Sequence, residues 1–238
     1  MDANGPGHLM LKEIREQPQA ISRLIEAEEK RVWKMAKRWN EKPPRFISIA
    51  ARGTSDHAAL YGKYLFETAN GIPVSLAAPS VISMYKADLR VEGALVIGIS
   101  QSGEAADVAA VIEQAKAAGA DTLAITNIKD SPLAKAAEQL IPLHAGAEKA
   151  VAATKTFTCS MAALLLLSAA ISQKRELLSQ LKELPSLVEE AVKGTEKLRG
   201  KMERFRNLQE CVVLGRGYGM SVAYELALKL RETSYLRA

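Results

Sequence analysis

The sequence contains little cysteine and little histidine, residue types on which many metal and nucleophilic sites depend. Its 238 residues include 2 cysteines and 3 histidines. Cys159 and Cys211 have neither metal-ligand spacing nor the spacing of a short disulfide loop, so we interpret them as small buried residues in a reducing cytoplasm. His8, His57 and His144 lie far apart along the chain, which predicts no metal site and argues against a Ser-His-Asp triad. His57, near a helix start, is interpreted as a packed or surface residue.

The chain also lacks a concentrated basic patch and a long hydrophobic run. The net charge is +5, and the lysines and arginines of residues 30–45 and 174–206 are interleaved with glutamate, as on solvated helix faces. No nucleic-acid partner is therefore expected. The longest apolar run, residues 161–171, is shorter than a bilayer span, so we predict a core helix and no membrane partner. No apolar segment of a secretion signal is visible near the N-terminus.

Short apolar segments alternate with helical segments between residues 45 and 173. Such alternation predicts an α/β fold, a three-layer α-β-α sandwich with a five-stranded parallel sheet. Residues 1–44 are predicted to be a helical segment that precedes this domain, with one or two helices over residues 9–40 whose apolar stripe is interrupted at Pro18. The predicted strands are 46–51, 74–77, 94–99, 122–126 and 140–144.

The pattern restarts near the end of the sequence. Residues 174–208 are charged and glycine-poor, which predicts a helical connector on the outside of the first domain. Residues 209–238 then read as a strand at 211–214, a glycine turn and a helix. One strand and one helix cannot form a sheet, so we expect the beginning of a second domain whose other strands lie in a longer chain or come from elsewhere.

The most informative segment is the turn after the predicted strand 94–99. Ser100, Gln101, Ser102 and Gly103 stand where this strand passes into a helix. The first N–H groups of a helix lack partners, so this turn can hold an anion such as a phosphate without a lysine, and Gly103 would let the anion approach the backbone. An ordinary helix N-cap explains the turn equally well when it is considered alone.

Two other predicted turns of the same sheet are also polar and small, at residues 53–55 and 150–155. In open α/β sheets, ligands bind beyond the carboxyl ends of the strands, where such turns converge. The three turns together predict a phosphorylated ligand.

The last predicted helix carries a second group of polar residues. Glu225, Lys229 and Glu232 are spaced four and three apart and therefore share one face. A ladder of surface ion pairs is one interpretation. The other is a carboxylate base beside a cation, which suits proton abstraction next to a carbonyl. A separate stripe is apolar, formed by Ala223, Leu226, Ala227 and Leu230.

Two further motifs are incomplete. The glycines at 215, 217 and 219 resemble a dinucleotide fingerprint, but the third comes one residue early and no strand follows to carry the acidic residue. A serine hydrolase needs Gly-x-Ser-x-Gly, whereas this chain has Gly98-x-Ser100-x-Ser102. No metal or organic cofactor is expected.

Five ordered segments resemble the signature segments of sugar isomerase (SIS) domains, and most closely those in the isomerase half of glucosamine-6-phosphate synthase. Three are Arg-Gly-Thr-Ser-Asp from residue 52, Ile-Ser-Gln-Ser-Gly-Glu from residue 99 and Val-Ala-Ala-Thr-Lys-Thr-Phe-Thr from residue 151. The others are Lys-Glu-Ile-Arg-Glu-Gln-Pro from residue 12 and the segment 227–235. The resemblance implies the SIS fold followed by the start of a second SIS lobe.

The resemblance also implies roles for these residues. The phosphate would lie on Ser100, Gln101, Ser102 and Gly103, and the sugar would lie against Gly53, Thr54, Ser55 and Val151. Glu232 would move a proton between C1 and C2 of the sugar, Lys229 would assist at the developing oxyanion, and Glu225 would support them. Members of the family are homodimers whose sites are completed by late elements of the second lobe, including a histidine of the partner subunit.

The sequence departs from the family pattern in three ways. Ala105 replaces a threonine that would contact phosphate, and Arg52 replaces a small residue, either reaching a phosphate or facing solvent. We expect no amidotransferase domain before residue 9. We therefore expect ammonia-dependent interconversion of fructose 6-phosphate and glucosamine 6-phosphate, with a separate amidotransferase as a possible partner. The alternative is a non-catalytic module that senses a sugar phosphate.

Overall fold

One long helix, α1 (His8–Glu41), leads into the sheet of this computed structural model, which describes residues 7–238 apart from the side chain of Arg199. The helix is continuous through Pro18, so the predicted segment is one helix rather than two. Proline has no N–H to donate to the carbonyl four residues earlier. The side-chain amide of Gln17 donates to that carbonyl, of Ile14, at 3.0 Å instead.

The sheet has five strands in the order β2-β1-β3-β4-β5, and every neighbouring pair is parallel. The central strand β3 is buried at all of its positions, as expected for a sheet covered on both faces. The predicted α/β fold is thus confirmed. The strands are β1 (Ile47–Ala50), β2 (Val74–Leu76), β3 (Leu95–Ser100), β4 (Asp121–Thr126) and β5 (Gln139–Pro142).

Helices cover both faces of this sheet and bury two apolar clusters. The larger cluster lies between the sheet and the helices α1, α2 (Thr54–Leu65) and α6 (Lys155–Ser172). The smaller one lies between the other face and α4 (Ala106–Ala117) with α5 (Pro132–Ala136). A π-helical turn, Phe66–Asn70, extends α2, and the short α3 (Pro79–Ser83) follows β2.

Helix α6 is the one helix of residues 7–238 whose length and apolar composition would suit a membrane span, and 78% of it is buried inside the fold. It packs against α1 and α2 as the central helix of the larger cluster. Its apolar composition is therefore accounted for by its place in the core.

The strand order reverses direction between β1 and β3, which places a crevice there. From β1 the chain crosses to β2 on one side, and then to β3 on the other side. Ala50 is paired with Gly98, so the turns that follow β1 and β3 lie next to each other. Ligands of doubly wound sheets bind in this crevice, at the carboxyl ends of the strands.

Two helices and a short turn follow the first domain. Helix α7 (Arg175–Glu196) packs against α1 and α6 and buries Leu178 and Leu181, and a 3-10 turn, Arg199–Phe205, follows it. Helix α8 (Tyr218–Ser234) returns to pack against α2.

The predicted strand at 211–214 is wrong. The nearby pairing is a single bridge between Glu210 and Arg237. A strand forms only when a neighbour accepts and donates its backbone hydrogen bonds, and none of the strands in residues 7–238 lies beside this segment.

Candidate active site

Helix α8 brings the charged residues of the C-terminal segment onto the turn that follows β1. Gly53 holds φ 57° and ψ −130°, a conformation that glycine adopts readily, and it directs the chain from β1 into α2. Thr54 is the first residue of α2, so its hydroxyl faces the crevice end of the sheet. The turn before α8 repeats this geometry, with Gly217 at φ 59° and ψ −138°.

One ammonium group lies at the centre of the site. The Nζ atom of Lys229 lies 2.5 Å from Oε2 of Glu232 and 3.3 Å from Oε1 of Glu225. It also donates to Oγ1 of Thr54 at 3.1 Å, and this hydroxyl donates to Oε1 of Glu225 at 3.1 Å. The four predicted residues thus form one hydrogen-bonded cluster.

The exposure of these side chains decides between the two interpretations of the charged face. The side chains of Glu225 and Lys229 are 9% and 14% exposed, whereas that of Glu232 is 34% exposed. A surface ladder would leave all three in solvent. The surface interpretation is therefore wrong for Glu225 and Lys229, and Glu232 is the member of the cluster that a ligand can reach.

The buried face of α8 is polar, and the apolar stripe that the sequence suggests is separate from it. Ser221 and Glu225 are the buried residues of this helix, while Val222 and Leu226 are about half exposed. The facing surface of α2 carries hydroxyl and imidazole groups, so the polar side of α8 finds hydrogen-bond partners there.

His57 belongs to the cluster, and the sequence analysis missed this role. Its Nδ1 lies 2.7 Å from Oε2 of Glu225, and its ring stacks on Tyr224 with centroids 5.8 Å apart. Its carbonyl accepts a hydrogen bond of 2.6 Å from the hydroxyl of Ser221. The spacing of the residues could have indicated this role, because His57 follows Thr54 by three residues and therefore lies on the same face of α2.

These contacts keep Glu225 ionised. Burial by itself raises the pKa of this carboxyl, but the hydrogen bond to His57, the charge of Lys229 and the hydrogen bond from Thr54 outweigh burial, and the pKa lies below its ordinary value of 4.5. At neutral pH the site therefore holds a buried carboxylate beside the ammonium of Lys229.

The turn after β3 is compact and held by its own hydroxyls. The buried Ser100 accepts a hydrogen bond from the N–H of Gly103 at 3.1 Å, and Ser102 accepts one from the N–H of Glu104 at 3.3 Å. Each hydroxyl is thus used as an acceptor and retains a proton to donate to an anion. The carbonyl of Gln101 accepts the N–H of Asn127 at 3.1 Å, which ties the turn to the end of β4.

Gly103 serves packing rather than the approach of a ligand, which corrects the expected reason for this glycine. Its φ is 70°, and a Cβ added there would lie 2.1 Å from Oγ of Ser131 and 3.0 Å from Oγ1 of Thr126. The absent side chain therefore faces the inside of the fold.

The third predicted turn lies across a cleft from Glu232. Val151 is fully exposed, and with Met10 and Glu232 it lines a cleft of about 600 Å³. Buried Glu13 of α1 anchors this turn by accepting the N–H groups of Lys149 at 2.5 Å and Ala150 at 3.2 Å.

A buried lysine adds to this anchor. Lys155 forms a 2.6 Å ion pair with Glu16 of α1 and donates to the carbonyl of Ala147 at 2.7 Å. The sequence analysis assigned no role to Glu13 or to Lys155. Helix α1 therefore fixes the turn that carries Val151.

Arg52 reaches over the surface instead of pointing into the cluster. Its Nη1 lies 3.2 Å from Oδ2 of Asp107, in the first turn of α4, and most of its side chain is exposed. It spans the two turns at the crevice. Ser55, the last residue of the first predicted turn, donates its N–H to the carbonyl of Arg52 at 3.2 Å.

The structure thus joins Thr54, Glu225, Lys229 and Glu232 directly and places Val151 across the cleft. The turn after β3 lies on the adjoining strand end, and the hydrogen bonds of its serines stay within that turn. Hydroxyl-rich turns at the switch point of a doubly wound sheet, beside a lysine shared by two glutamates, define an α/β protein with a ligand site at the carboxyl edge of its sheet.

Comparison with known proteins agrees with this class and identifies the family. The SIS domain model matches residues 43–170, which is more than half of the chain. The chain belongs to the SIS domain family.

Several relatives match nearly the whole chain. The glutamine–fructose-6-phosphate aminotransferase (isomerizing) of Aquifex aeolicus is 38% identical over all of this chain and 40% of that protein, and the enzyme of the same name from Pyrococcus horikoshii is 35% identical with the same coverage. The chain therefore spans about 40% of the length of these curated relatives.

Two solved structures extend the comparison. A protein of Silicibacter pomeroyi described as a phosphosugar isomerase superposes with a TM-score of 0.89 at 38% identity, over 97% of this chain and 70% of that one. The C-terminal domain of the glucosamine-fructose-6-phosphate aminotransferase of Francisella tularensis gives a TM-score of 0.80 at 30% identity, over 100% of this chain and 70% of that one.

Proposed function

We propose that this chain carries the site of a phosphosugar isomerase of aminosugar metabolism, which interconverts fructose 6-phosphate and glucosamine 6-phosphate with ammonia. The observation that carries the proposal is the pair formed by Glu232 and Lys229, held against Thr54 at the switch point of the sheet. The names of the relatives give the substrate class. The chain spans about 40% of the length of those relatives. The activity is therefore to be measured on this chain and is not carried over from the whole relatives.

Binding would begin at the turn after β3. The hydroxyl groups of Ser100 and Ser102 and the N–H groups of the turn would donate hydrogen bonds to the phosphate. No lysine side chain would be needed for this binding. Gly53, Thr54 and Ser55 would line the sugar, whose other end would reach Val151 across the cleft. Gln101 and Gly103 would set the shape of the phosphate turn.

The chemistry would follow from Glu232 and Lys229. Ammonia adds to C2 of open-chain fructose 6-phosphate, and water leaves to give an imine. The Glu232 carboxylate then takes a proton from C1 and returns it to C2. The C1 hydroxyl gives up its proton and becomes the aldehyde, while the imine nitrogen takes up one proton and becomes the amine of glucosamine 6-phosphate. The Lys229 ammonium stabilises the charge that develops on the C1 oxygen, and Glu225 holds this lysine in place.

Proton exchange tests the proposal. The chain is incubated with glucosamine 6-phosphate or fructose 6-phosphate in D₂O, and loss of the C1 or C2 proton is followed by NMR. Glu232→Gln is expected to abolish exchange and to retain binding, measured as a thermal shift. The matched control is Glu189→Gln, which breaks an exposed Glu–Lys pair of 2.6 Å on α7 and is expected to leave exchange unchanged. Exchange that persists in Glu232→Gln would remove this residue from the role.

A binding module without turnover is the second candidate. It is favoured by the segment 211–214, which pairs with no strand in residues 7–238. Thermal stabilisation by glucosamine 6-phosphate without proton exchange or ammonia release would support this candidate. If no sugar phosphate stabilises the chain, both candidates are wrong.

We also propose that the protein works as a homodimer in the cytoplasm, with a separate amidotransferase as a possible source of ammonia. Exposed apolar side chains at Val212, Leu214, Val222 and Leu226 support a further contact on this side of α8. Light scattering of the purified chain measures the oligomeric state, and a monomer at micromolar concentration would contradict the dimer.

A further inference from the structure

We propose that His57 is a positioning residue which, by holding Glu225, determines how strongly Lys229 is drawn to Glu232. This inference rests on the proposed function of the site and adds a residue that the motifs do not assign. Three features support it. Glu225 and Glu232 share the ammonium of Lys229, His57 contacts the opposite side of the Glu225 carboxylate, and the position of His57 is fixed by its neighbours.

The ammonium of Lys229 has three protons and three acceptors. These acceptors are Oε2 of Glu232 at 2.5 Å, Oε1 of Glu225 at 3.3 Å and Oγ1 of Thr54 at 3.1 Å. Glu225 and Glu232 therefore compete for one cation. If Glu225 loses its charge, the Lys229 ammonium is attracted to Glu232 alone. The repulsion between the two carboxylates is lost as well.

His57 holds the opposite edge of the Glu225 carboxylate. Oε2 of Glu225 lies 2.7 Å from Nδ1 of His57, while Oε1 faces Thr54 and Lys229. Both oxygens are thus engaged in different directions, so the carboxylate has one orientation. Because a carboxylate accepts, His57 donates from Nδ1, which assigns the proton to that nitrogen.

The imidazole ring of His57 has little freedom to leave. It is stacked on Tyr224 at an interplanar angle of 26°, and its backbone carbonyl is bound by the hydroxyl of Ser221. The charged groups around it are Asp56 and Glu225, and burial raises the pKa of Asp56. His57 is therefore a fixed donor placed behind the cluster, without a direct contact to Lys229 or Glu232.

The consequence for Glu232 has a definite sign. Without the donor, Glu225 takes up a proton at higher pH, and a neutral Glu225 no longer balances the ammonium. Lys229 then stabilises the ionised form of Glu232 more strongly, so Glu232 becomes a weaker base. Removal of His57 is thus expected to move the titrations of the two carboxyls in opposite directions.

The experiment is a pH titration of the side-chain carboxyl carbons by ¹³C NMR on the whole chain, without substrate. His57→Phe keeps a ring to stack on Tyr224 and removes the donor. The midpoint of Glu225 is expected to rise by about one pH unit and that of Glu232 to fall by a smaller amount. His57→Gln, whose amide can donate, is expected to return both midpoints partly to the values of the parent chain.

A matched control is available in the same chain. Nε2 of His144 lies 2.7 Å from Oε1 of the buried Glu28, so His144→Gln alters a pair of the same kind away from the site. It is expected to leave the midpoints of Glu225 and Glu232 unchanged. An unchanged Glu225 midpoint in His57→Phe, or an upward shift of Glu232, would overturn the inference.

Glu225→Gln tests the sharing of the ammonium without altering His57. The midpoint of Glu232 is expected to fall in this variant, and a constant midpoint would overturn the inference even if His57→Phe does not fold. These titrations require no turnover, so they are separate from the proton-exchange test of the proposed function. Where exchange is measurable, His57→Phe is expected to move the acid limb of its pH profile to lower pH and to reduce the maximum rate.

Discussion

The hydroxyl of Thr54, in the first turn of α2, accepts a hydrogen bond of 3.1 Å from the ammonium of Lys229, in the last third of α8. The two residues are separated by 175 positions in the sequence. This contact joins the crevice of the first sheet to the charged face of the last helix. A ligand that lies on the turn after β1 is thereby placed within reach of the Lys229–Glu232 pair.

Substitution of Thr54 by valine is expected to weaken the binding of glucosamine 6-phosphate about 2- to 10-fold. The valine keeps the shape of the side chain and removes an acceptor for a sugar hydroxyl, and a neutral hydrogen bond contributes about 0.5–1.5 kcal/mol. Isothermal titration calorimetry gives the affinity. Thr195→Val is the control, because that exposed hydroxyl bonds only to a carbonyl of α7. Equal affinity in Thr54→Val and the parent chain would contradict the placement of the sugar.

Gly103 and Gly119 form a natural pair for a stability test. Both have positive φ, 70° and 79°, but a Cβ at Gly103 collides with Ser131 while nothing lies within 4 Å of one at Gly119. Gly119→Ala is expected to cost about 1–2 kcal/mol of unfolding free energy from the backbone conformation alone. Gly103→Ala is expected to cost a further amount of about 1–3 kcal/mol from overpacking. Urea denaturation measures both, and equal losses would show that the crowding at Ser131 is relieved without cost.

Glu13 is expected to support binding from a distance. Glu13→Ala removes the acceptor of two N–H groups in the turn that carries Val151, which is expected to lower the free energy of unfolding by about 1–3 kcal/mol. Because the turn also loses its position, affinity for glucosamine 6-phosphate is expected to fall as well. Glu26→Ala, an exposed glutamate of the same helix, is the control for both measurements. A loss of stability with full affinity would mean that the turn keeps its position without this anchor.

The local part of the architecture was predictable from the sequence. Strand-forming runs, the polar turns that end them and the shared face of Glu225, Lys229 and Glu232 all depend on periods of two and 3.6 residues within one element. These patterns identified the parallel sheet and four of the five residues of the hydrogen-bonded cluster: Glu225, Lys229 and Glu232 from their shared helix face, and Thr54 from its turn.

Contacts between distant segments were not predictable in this way. His57 and Glu225 are 168 positions apart, and Glu13 and Lys149 are 136 apart. The repeat of a helix or a strand does not connect residues so far apart in the sequence. A histidine at a helix start and a glutamate on a long helix therefore gave no sign of their partners. The error at 211–214 has the same origin, because the absence of a neighbouring strand decided it rather than local propensity.

The orientation of α8 separates its chemistry from its outer surface. Ser221 and Glu225 point to α2, whereas Val222 and Leu226 point outward from the same turns. Mutational drift on the outward side can therefore change solubility or association while the reactive side keeps its arrangement. Polar replacements of Val222 and Leu226 are therefore expected to weaken association through this surface while the buried polar side of α8 stays in place.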